Sequence, residues 1–181
     1  ERGGNLMEQW DLYDIHRMKT GETWVRGEAM REGNLHLVVH ICVFNSKGEM
    51  LIQQRQPFKE GWPDRWDVTA GGSAVAGDTS QMAAERELFE EIGLHYNFEN
   101  IRPYFTINFD YGFNDFYLME QDLDLSSLHL QEEEVQAVKW ASKEEIMQMI
   151  REEVFVPYHE GLIQLLFDMR KRRGTSQRKF K

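Results

Sequence analysis

The sequence has almost no cysteine and no long apolar run. Cys42 is the one cysteine among 181 residues, which excludes an intrachain disulfide and a cysteine-based zinc cluster. No apolar run approaches the roughly 18 residues of a membrane span, and no signal-peptide hydrophobic region is found near the start. We therefore expect a protein of a reducing, aqueous compartment, most simply the cytoplasm, with no membrane partner.

Positive charge is also scarce, since 21 lysines and arginines face 31 acidic residues and the net charge is −10. This balance argues against general nucleic-acid binding. The exception is the C-terminus, where seven basic and no acidic residues follow from Arg170 onward. We predict a flexible arm at 1–6, one domain at 7–173 and a solvated basic tail at 174–181. A tail that contacts phosphate or RNA is the alternative.

Apolar periodicity and turn signals predict an α/β (α+β) domain in which a sheet packs against helices. A hairpin is predicted over 11–26, turning at Thr20-Gly21. The further predicted strands are 35–44, 49–55, 66–70 (stopped by Gly71-Gly72), 101–109, 115–120 and 134–140. The predicted helices are 79–92, 142–151 and 161–173. Thr79 or Asp78 would cap the first helix, with Gly93 after its end.

Three carboxylates share one face of the first predicted helix. Glu87, Glu90 and Glu91 are spaced i, i+3 and i+4, where like charges cost about 0.2–0.5 kcal/mol per pair. They also lie in the C-terminal half, where the helix dipole disfavours anions. We infer that a cation offsets both costs, and clustered carboxylates suit Mg²⁺ or Mn²⁺. The apolar stripe at 84, 88 and 92 predicts that this face points away from the core.

This helix and the turn before it resemble the signature of the Nudix hydrolase family, of which MutT-like pyrophosphohydrolases are members. The match runs from Gly72 through Asp78 to Arg86-Glu87-Leu88-Phe89-Glu90-Glu91-Ile92-Gly93-Leu94, with Asp78 in place of the family's glutamate. The resemblance implies an α/β/α sandwich with a mixed central sheet. It also implies hydrolysis of a diphosphate linkage, in a nucleoside diphosphate derivative or another organic diphosphate, with Mg²⁺ or Mn²⁺ as cofactor.

The resemblance assigns roles by position. Glu87, Glu90 and Glu91, with a backbone carbonyl of Gly71, would hold the metal, and Glu90, Glu87 and Arg86 would be catalytic. Arg86 precedes Glu90 by four residues and could orient it. The general base is either one of these glutamates or one from a distant loop.

A run of acidic residues supplies the candidates for that distant glutamate. Glu132, Glu133 and Glu134 precede the last predicted strand, where family members often place one, and Glu120 is a weaker candidate. The alternative for each is an ordinary solvated loop charge.

A second resemblance, to isopentenyl-diphosphate isomerases of the same fold, covers the segment from His36 to Trp66 and rests on a set of shared positions. These are Leu35-His36-Leu37, Gly48, Arg55, Lys59, Trp62-Pro63 and Trp66, and later in the chain Glu134-Val135 and Trp140. The isomerases need a cysteine followed by Gly-His, and this chain has Gly71-Gly72-Ser73 there. We predict that Cys42 packs as a small buried hydrophobe and does not replace the isomerase cysteine.

Phosphate binding is what the isomerase resemblance still implies. Arg55 and Lys59 would bind phosphate oxygens, with an ordinary exposed pair as the alternative. His36 and His40 would lie about 13 Å apart on one strand face, too far to share a metal.

Two alternatives to hydrolysis stay open from the sequence, an isomerase-like enzyme and a non-catalytic ligand-binding module. A binding module would be expected to lose the clustered carboxylates, which this chain keeps. The expected partner is a small-molecule diphosphate. The family resemblance also implies that a homodimer could form, with the N-terminal hairpin as one surface for it.

Overall fold

The computed structural model describes residues 7–177, so the predicted arm at 1–6 and the end of the predicted tail at 178–181 lie outside the described residues. The strands are β1 Gln9–Tyr13, β2 Lys19–Val25, β3 His36–Phe44, β4 Met50–Arg55, β5 Trp66–Asp67, β6 Ala70–Ser73, β7 Phe105–Phe109, β8 Gly112–Glu120 and β9 Val135–Ala141. The helices are α1 Ser80–Ile92, α2 Lys143–Arg151 and α3 Glu160–Met169, with a short 3-10 turn at Leu125–Ser127.

A mixed seven-stranded sheet is built around β3. Strand β8 pairs with β3 in parallel along its whole length, while β6 and β4 pair with it antiparallel. Strand β9 pairs with β4, β5 also joins β4, and β7 extends the sheet beyond β8. Because β3 is central and apolar on both faces, its side chains feed two separate cores.

The two faces of the sheet are covered by different helices. Val39 and Ile41 face α1, in a core that includes Leu88 and Ile92. Cys42 and Phe44 belong to the opposite core, which α2 and α3 cover. The α/β/α sandwich with a mixed sheet is therefore confirmed. Among the described residues, no helix combines the length and the apolar character needed to cross a membrane.

The N-terminal hairpin is confirmed, but its predicted turn is wrong. Strands β1 and β2 form a separate two-stranded antiparallel sheet, and Thr20-Gly21 lies inside β2. The chain turns instead at 14–18, where Asp14 Oδ1 accepts from the backbone N–H of His16 (2.8 Å) and Met18 (3.0 Å). An aspartate side chain thus makes the turn that a glycine was expected to make.

Several predicted boundaries also differ from those of the structure, among them the start of the strand predicted at 101–109, which begins at Phe105. Gly71-Gly72 does not stop a strand, because both residues pair with β3 as part of β6. Strand β8 begins at Gly112 and not at the predicted residue 115, because residue 112 already pairs with the start of β3. Helix α3 ends at Met169, its last buried residue, since the basic residues that follow offer no apolar face to pack.

Candidate active site

Helix α1 has the predicted caps. Thr79 Oγ1 accepts from the N–H of Met82 at 3.1 Å. At the other end Gly93 has φ 73°, in the left-handed region, and its N–H donates to Phe89 O at 2.8 Å. The caps define where the helix begins and ends. Which glutamates face the sheet then depends on how the helix is rotated about its axis.

The glutamates do not all point away from the core, so that prediction is wrong for Glu91. Its residue is only 6% exposed, and its carboxylate accepts from the Gln53 side chain and, at 3.4 Å, from the N–H of Gly71. Burial raises the pKa of Glu91 well above its usual value, and the charge of Glu87 adds to the shift. The carboxylate is placed between α1, β4 and β6.

Glu87 lies against the backbone of β6. A Cβ at Gly72 would meet the Glu87 carboxyl carbon at 2.6 Å, so this approach requires glycine. Burial raises the pKa of Glu87 to about 7, with a contribution from Glu90 and an opposing one from Arg86. Burial therefore disfavours the anionic forms of both Glu87 and Glu91, and a bound cation would stabilise those anions.

Arg86 bridges the start and the middle of α1. Its guanidinium donates to Asp78 Oδ2 at 2.6 Å and to Glu87 Oε1 at 2.8 Å, while Glu90 Oε2 is 3.9 Å away. Asp78 Oδ2 also accepts from the N–H of Val75 at 3.0 Å. The shorter aspartate thus still anchors Arg86, and Arg86 orients Glu87 more closely than Glu90.

The two predicted phosphate-binding cations reach the same place from β4 and its loop. Arg55 Nε donates to Gly61 O at 2.8 Å, and its Nη1 lies 3.7 Å from Asp67 Oδ2. Lys59 Nζ forms an ion pair with Glu134 Oε2 at 2.5 Å. Neither is the ordinary exposed pair of the alternative interpretation, since both side chains are mostly covered.

Among the distant candidates, Glu134 is the one that reaches the carboxylates. Glu132, Glu133 and Glu120 are exposed and do not line the cavity. The loop that carries Glu134 is attached to the end of α1, because the N–H of Gln131 donates to Glu91 O at 3.0 Å.

The α1 glutamates, Arg86, the two cations and Glu134 line one cavity of about 300 Å³, which we call the carboxylate cavity. Its acidic residues are Glu8, Glu87, Glu90, Glu91 and Glu134. Its basic residues are Arg26, Arg55, Lys59 and Arg86. Val38, Gly71, Gly72, Ser73 and Gln131 complete the lining. The predicted metal-binding, catalytic and phosphate-binding residues are therefore brought together here with Glu134, while Glu120, Glu132 and Glu133 are not.

The sequence interpretation missed the contribution of the hairpin. Glu8 and Arg26 line the carboxylate cavity, with Arg26 Nη1 3.3 Å from Glu8 Oε2 and the Arg26 N–H bonded to Glu8 O at 2.8 Å. Their spacing of 18 residues carries no recognisable signal. Only the pairing of β1 with β2, which places Gln9 opposite Val25, could have indicated that they meet.

The carboxylates of the cavity are chemically suited to a divalent cation, but they are not arranged in the geometry of a metal site. Among residues 7–177, no three histidine, cysteine, aspartate or glutamate side chains are gathered in metal-binding geometry. Glu87 and Glu91 are instead held by Arg86 and Gln53. Hard carboxylate oxygens around glycine backbone are nevertheless the ligands that Mg²⁺ and Mn²⁺ take, and the raised pKa values favour such a cation.

The isomerase cysteine has no substitute in this site. A Cβ at Gly71 would lie 2.7 Å from Val39 O, so the backbone as it stands leaves no room for a side chain there. Cys42 is fully buried in the opposite core, and burial raises the pKa of its thiol, as predicted for a small hydrophobe. His36 and His40 are stacked on Trp10 and Phe116, consistent with packing roles.

Comparison with known proteins supports the same family. The NUDIX domain matches residues 34–166. A Nudix hydrolase of Listeria monocytogenes is 47% identical over 152 residues, 84% of this chain and 90% of that protein. Nudix hydrolase 3 of Arabidopsis thaliana is 35% identical over 184 residues, 92% of this chain and 24% of that protein.

A solved structure shows that the fold is shared as well. A crystal structure from Deinococcus radiodurans superposes with a TM-score of 0.74 at 22% identity, covering 88% of this chain and 99% of that one. The domain match, the relatives and the shared fold lead to one conclusion: the chain belongs to the Nudix family and is a pyrophosphohydrolase.

Proposed function

We propose that the chain hydrolyses a diphosphate linkage in a nucleoside diphosphate derivative or another organic diphosphate, with Mg²⁺ or Mn²⁺ as cofactor. The observation that carries this proposal is the carboxylate cavity, where the α1 glutamates and Glu134 face Arg55 and Lys59. The clustered carboxylates suit a cation, and the cationic side chains that line the same cavity suit phosphate oxygens. A substrate diphosphate bound with its cation would meet both.

Glu87, Glu90 and Glu91 would hold the metal, with a carbonyl of Gly71 as a further ligand. When bound, the cation would neutralise diphosphate charge and lower the pKa of a water molecule that attacks phosphorus. Arg86 keeps the Glu87 carboxylate oriented through its bond at 2.8 Å. Gln53 and the N–H of Gly71 do the same for Glu91.

The cationic residues would bind the substrate. Arg55 is pre-oriented by Gly61 O and can grip phosphate oxygens through its remaining donors. Lys59 is paired with Glu134, so a diphosphate that attracts Lys59 also releases the glutamate. The general base remains either Glu134 or a glutamate of α1, and Glu90 is the least constrained of these, with a side chain 47% exposed.

The isomerase alternative loses support, because the protonation of an alkene needs the acid that position 71 lacks. A small-molecule partner, a cytoplasmic location and a homodimer through the N-terminal hairpin stay predictions. The formal charge of −10 still argues against a nucleic-acid partner.

The test is a substrate panel with Mg²⁺ and Mn²⁺ that includes nucleotide sugars, dinucleotides, nucleoside triphosphates and isoprenyl diphosphates. On the best substrate, Glu90→Gln is expected to lower kcat by about 100-fold or more. Glu133→Gln is the matched control, because Glu133 is exposed outside the cavity. The proposal fails if no member is hydrolysed or if Glu90→Gln keeps full activity.

A further inference from the structure

A chain of polar contacts lies behind Arg55, outside the carboxylate cavity. Asp67 Oδ2 is 3.7 Å from Arg55 Nη1, and Asp67 Oδ1 accepts a hydrogen bond from the Tyr158 hydroxyl at 2.6 Å. Arg55 lines the carboxylate cavity, whereas Asp67 and Tyr158 do not. The contacts therefore connect a phosphate-binding candidate to two side chains that lie behind it.

Tyr158 is held in place by the connection between α2 and α3, which pairs with β5. The N–H of Trp66 donates to Val154 O at 2.9 Å, and the N–H of Val156 donates to Trp66 O at 2.8 Å. The Tyr158 ring also meets the His40 ring edge to face, with centroids 6.2 Å apart. Because backbone bonds and a ring contact both fix this tyrosine, its hydroxyl is held at the carboxylate without help from a ligand.

The two oxygens of Asp67 are used unequally. Oδ1 accepts from the Tyr158 hydroxyl and, at 2.7 Å, from the N–H of Val68. Oδ2 faces Arg55 at 3.7 Å, which is beyond hydrogen-bond distance. Arg55 instead donates from Nε to Gly61 O at 2.8 Å. The guanidinium is thus oriented by a carbonyl, and its terminal nitrogens are not taken up by the aspartate.

This arrangement departs from the usual geometry of an arginine beside a carboxylate. Such groups commonly form a bidentate pair, and that pair would use the same guanidinium nitrogens that bind phosphate oxygens. The donors on Oδ1 hold the Asp67 carboxylate away from that geometry. Burial raises the pKa of Tyr158 well above its usual value, and the charge of Asp67 adds to the shift, so the hydroxyl keeps its proton and donates at neutral pH.

We propose that Tyr158 is a positioning residue for substrate binding: by holding Asp67, it keeps the carboxylate from pairing directly with Arg55 and leaves the guanidinium available to a phosphate group. Tyr158 acts through Asp67 and not by contact with the substrate. This inference rests on the proposed function, in which Arg55 binds the diphosphate. It adds to the site a residue from the α2–α3 connection, which contributes nothing to the lining of the carboxylate cavity.

The test measures the binding of methylenediphosphonate, a diphosphate analogue that cannot be hydrolysed, by isothermal titration calorimetry with Mg²⁺. Tyr158→Phe keeps the ring and removes only the hydroxyl. It is expected to weaken binding about tenfold, the effect of one lost charge-assisted hydrogen bond between Arg55 and a phosphate. With the best diphosphate substrate, the same variant should raise KM by a similar factor and leave kcat unchanged. Tyr111→Phe is the matched control, because Tyr111 is 42% exposed and lies outside the cavity.

Asp67→Asn separates this positioning role from a general structural one. An asparagine can still accept from the Tyr158 hydroxyl, but it has no charge with which to pair with Arg55. In the Asp67→Asn background, Tyr158→Phe should therefore change the dissociation constant by less than about twofold. A general loss of packing would weaken binding equally in both backgrounds. Thermal melting checks that each variant is folded.

Four results would each overturn the inference. These are unchanged or tighter binding in Tyr158→Phe, an equal effect of that substitution in the Asp67→Asn background, a loss confined to kcat, and no saturable binding by the wild-type chain at millimolar concentration. If the expected binding pattern is found but no diphosphate is hydrolysed, the proposed function fails and the positioning role stands. If diphosphates are hydrolysed without this pattern, the reverse applies.

Discussion

Glu87 tests whether the carboxylate cavity is arranged for a cation. Its side chain is 14% exposed and its pKa is raised to about 7 from an ordinary 4.5, mainly by burial. Between these two pH values the folded chain holds a proton that the unfolded chain has released. The free energy of unfolding therefore falls as the pH rises through this window, and it stays lowered above pH 7.

The size of this loss in the free energy of unfolding follows from the pKa shift of Glu87. A difference of about 2.5 between 4.5 and about 7, at about 1.36 kcal/mol per pKa unit, gives about 3 kcal/mol at pH 8. Glu87→Gln removes this titration but keeps the shape and an oxygen that accepts from Arg86. Without divalent cations, the variant is expected to be about 3 kcal/mol more stable than wild type at pH 8. Near pH 4.5 the two should be almost equal.

The assay is urea unfolding followed by circular dichroism in EDTA at pH 4.5, 6 and 8. Glu85→Gln is the matched control, since Glu85 is an exposed glutamate of α1 that lies outside the carboxylate cavity. Adding Mg²⁺ at pH 8 should stabilise wild type more than Glu87→Gln. A variant less stable than wild type at pH 8, or a difference that does not change with pH, would refute the reasoning.

Three further predictions concern neighbouring features. Gly72→Ala should lower kcat about tenfold or more in a folded protein, because the added Cβ would lie 2.6 Å from the Glu87 carboxyl carbon. Gly161→Ala is the control and should leave kcat unchanged, because a Cβ there meets open space. Lys59→Met should raise KM for the best diphosphate about tenfold, as expected for a lost charge-assisted bond, and the exposed Lys47→Met should leave KM unchanged. Cys42 should be inert to a thiol reagent in the native chain and react as one thiol in denaturant; rapid native labelling would contradict its burial.

Local signals explain which parts of the site could be predicted from the sequence. The caps of α1 and the spacing of its glutamates depend on residues close together in the chain, and both are found as predicted. A sheet packed against helices followed from apolar periodicity in segments such as β3, whereas the α/β/α sandwich was implied by the family resemblance; the structure has both.

Long-range contacts explain what could not be predicted. The burial of Glu91 depends on Gln53, a β4 residue 38 positions away, so the apolar stripe of α1 alone gave the wrong orientation. The contribution of Glu8 and Arg26 depends on how the hairpin docks. The turn at Asp14 was misplaced because a Thr-Gly pair is a strong local turn signal that strand pairing overrode.

The attachment of the 129–131 segment to the last carbonyls of α1 constrains how this enzyme could be engineered. A graft of the 121–134 connection from another family member, made to change substrate preference, would also replace the groups that cap helix α1. Such a chimera should keep the N–H donors at 129 and 131 and the glycine at 93. Residues 122–127 lie before these anchors, but Leu123 and Leu125 pack against the core beneath α1, so an exchange there should keep both positions apolar.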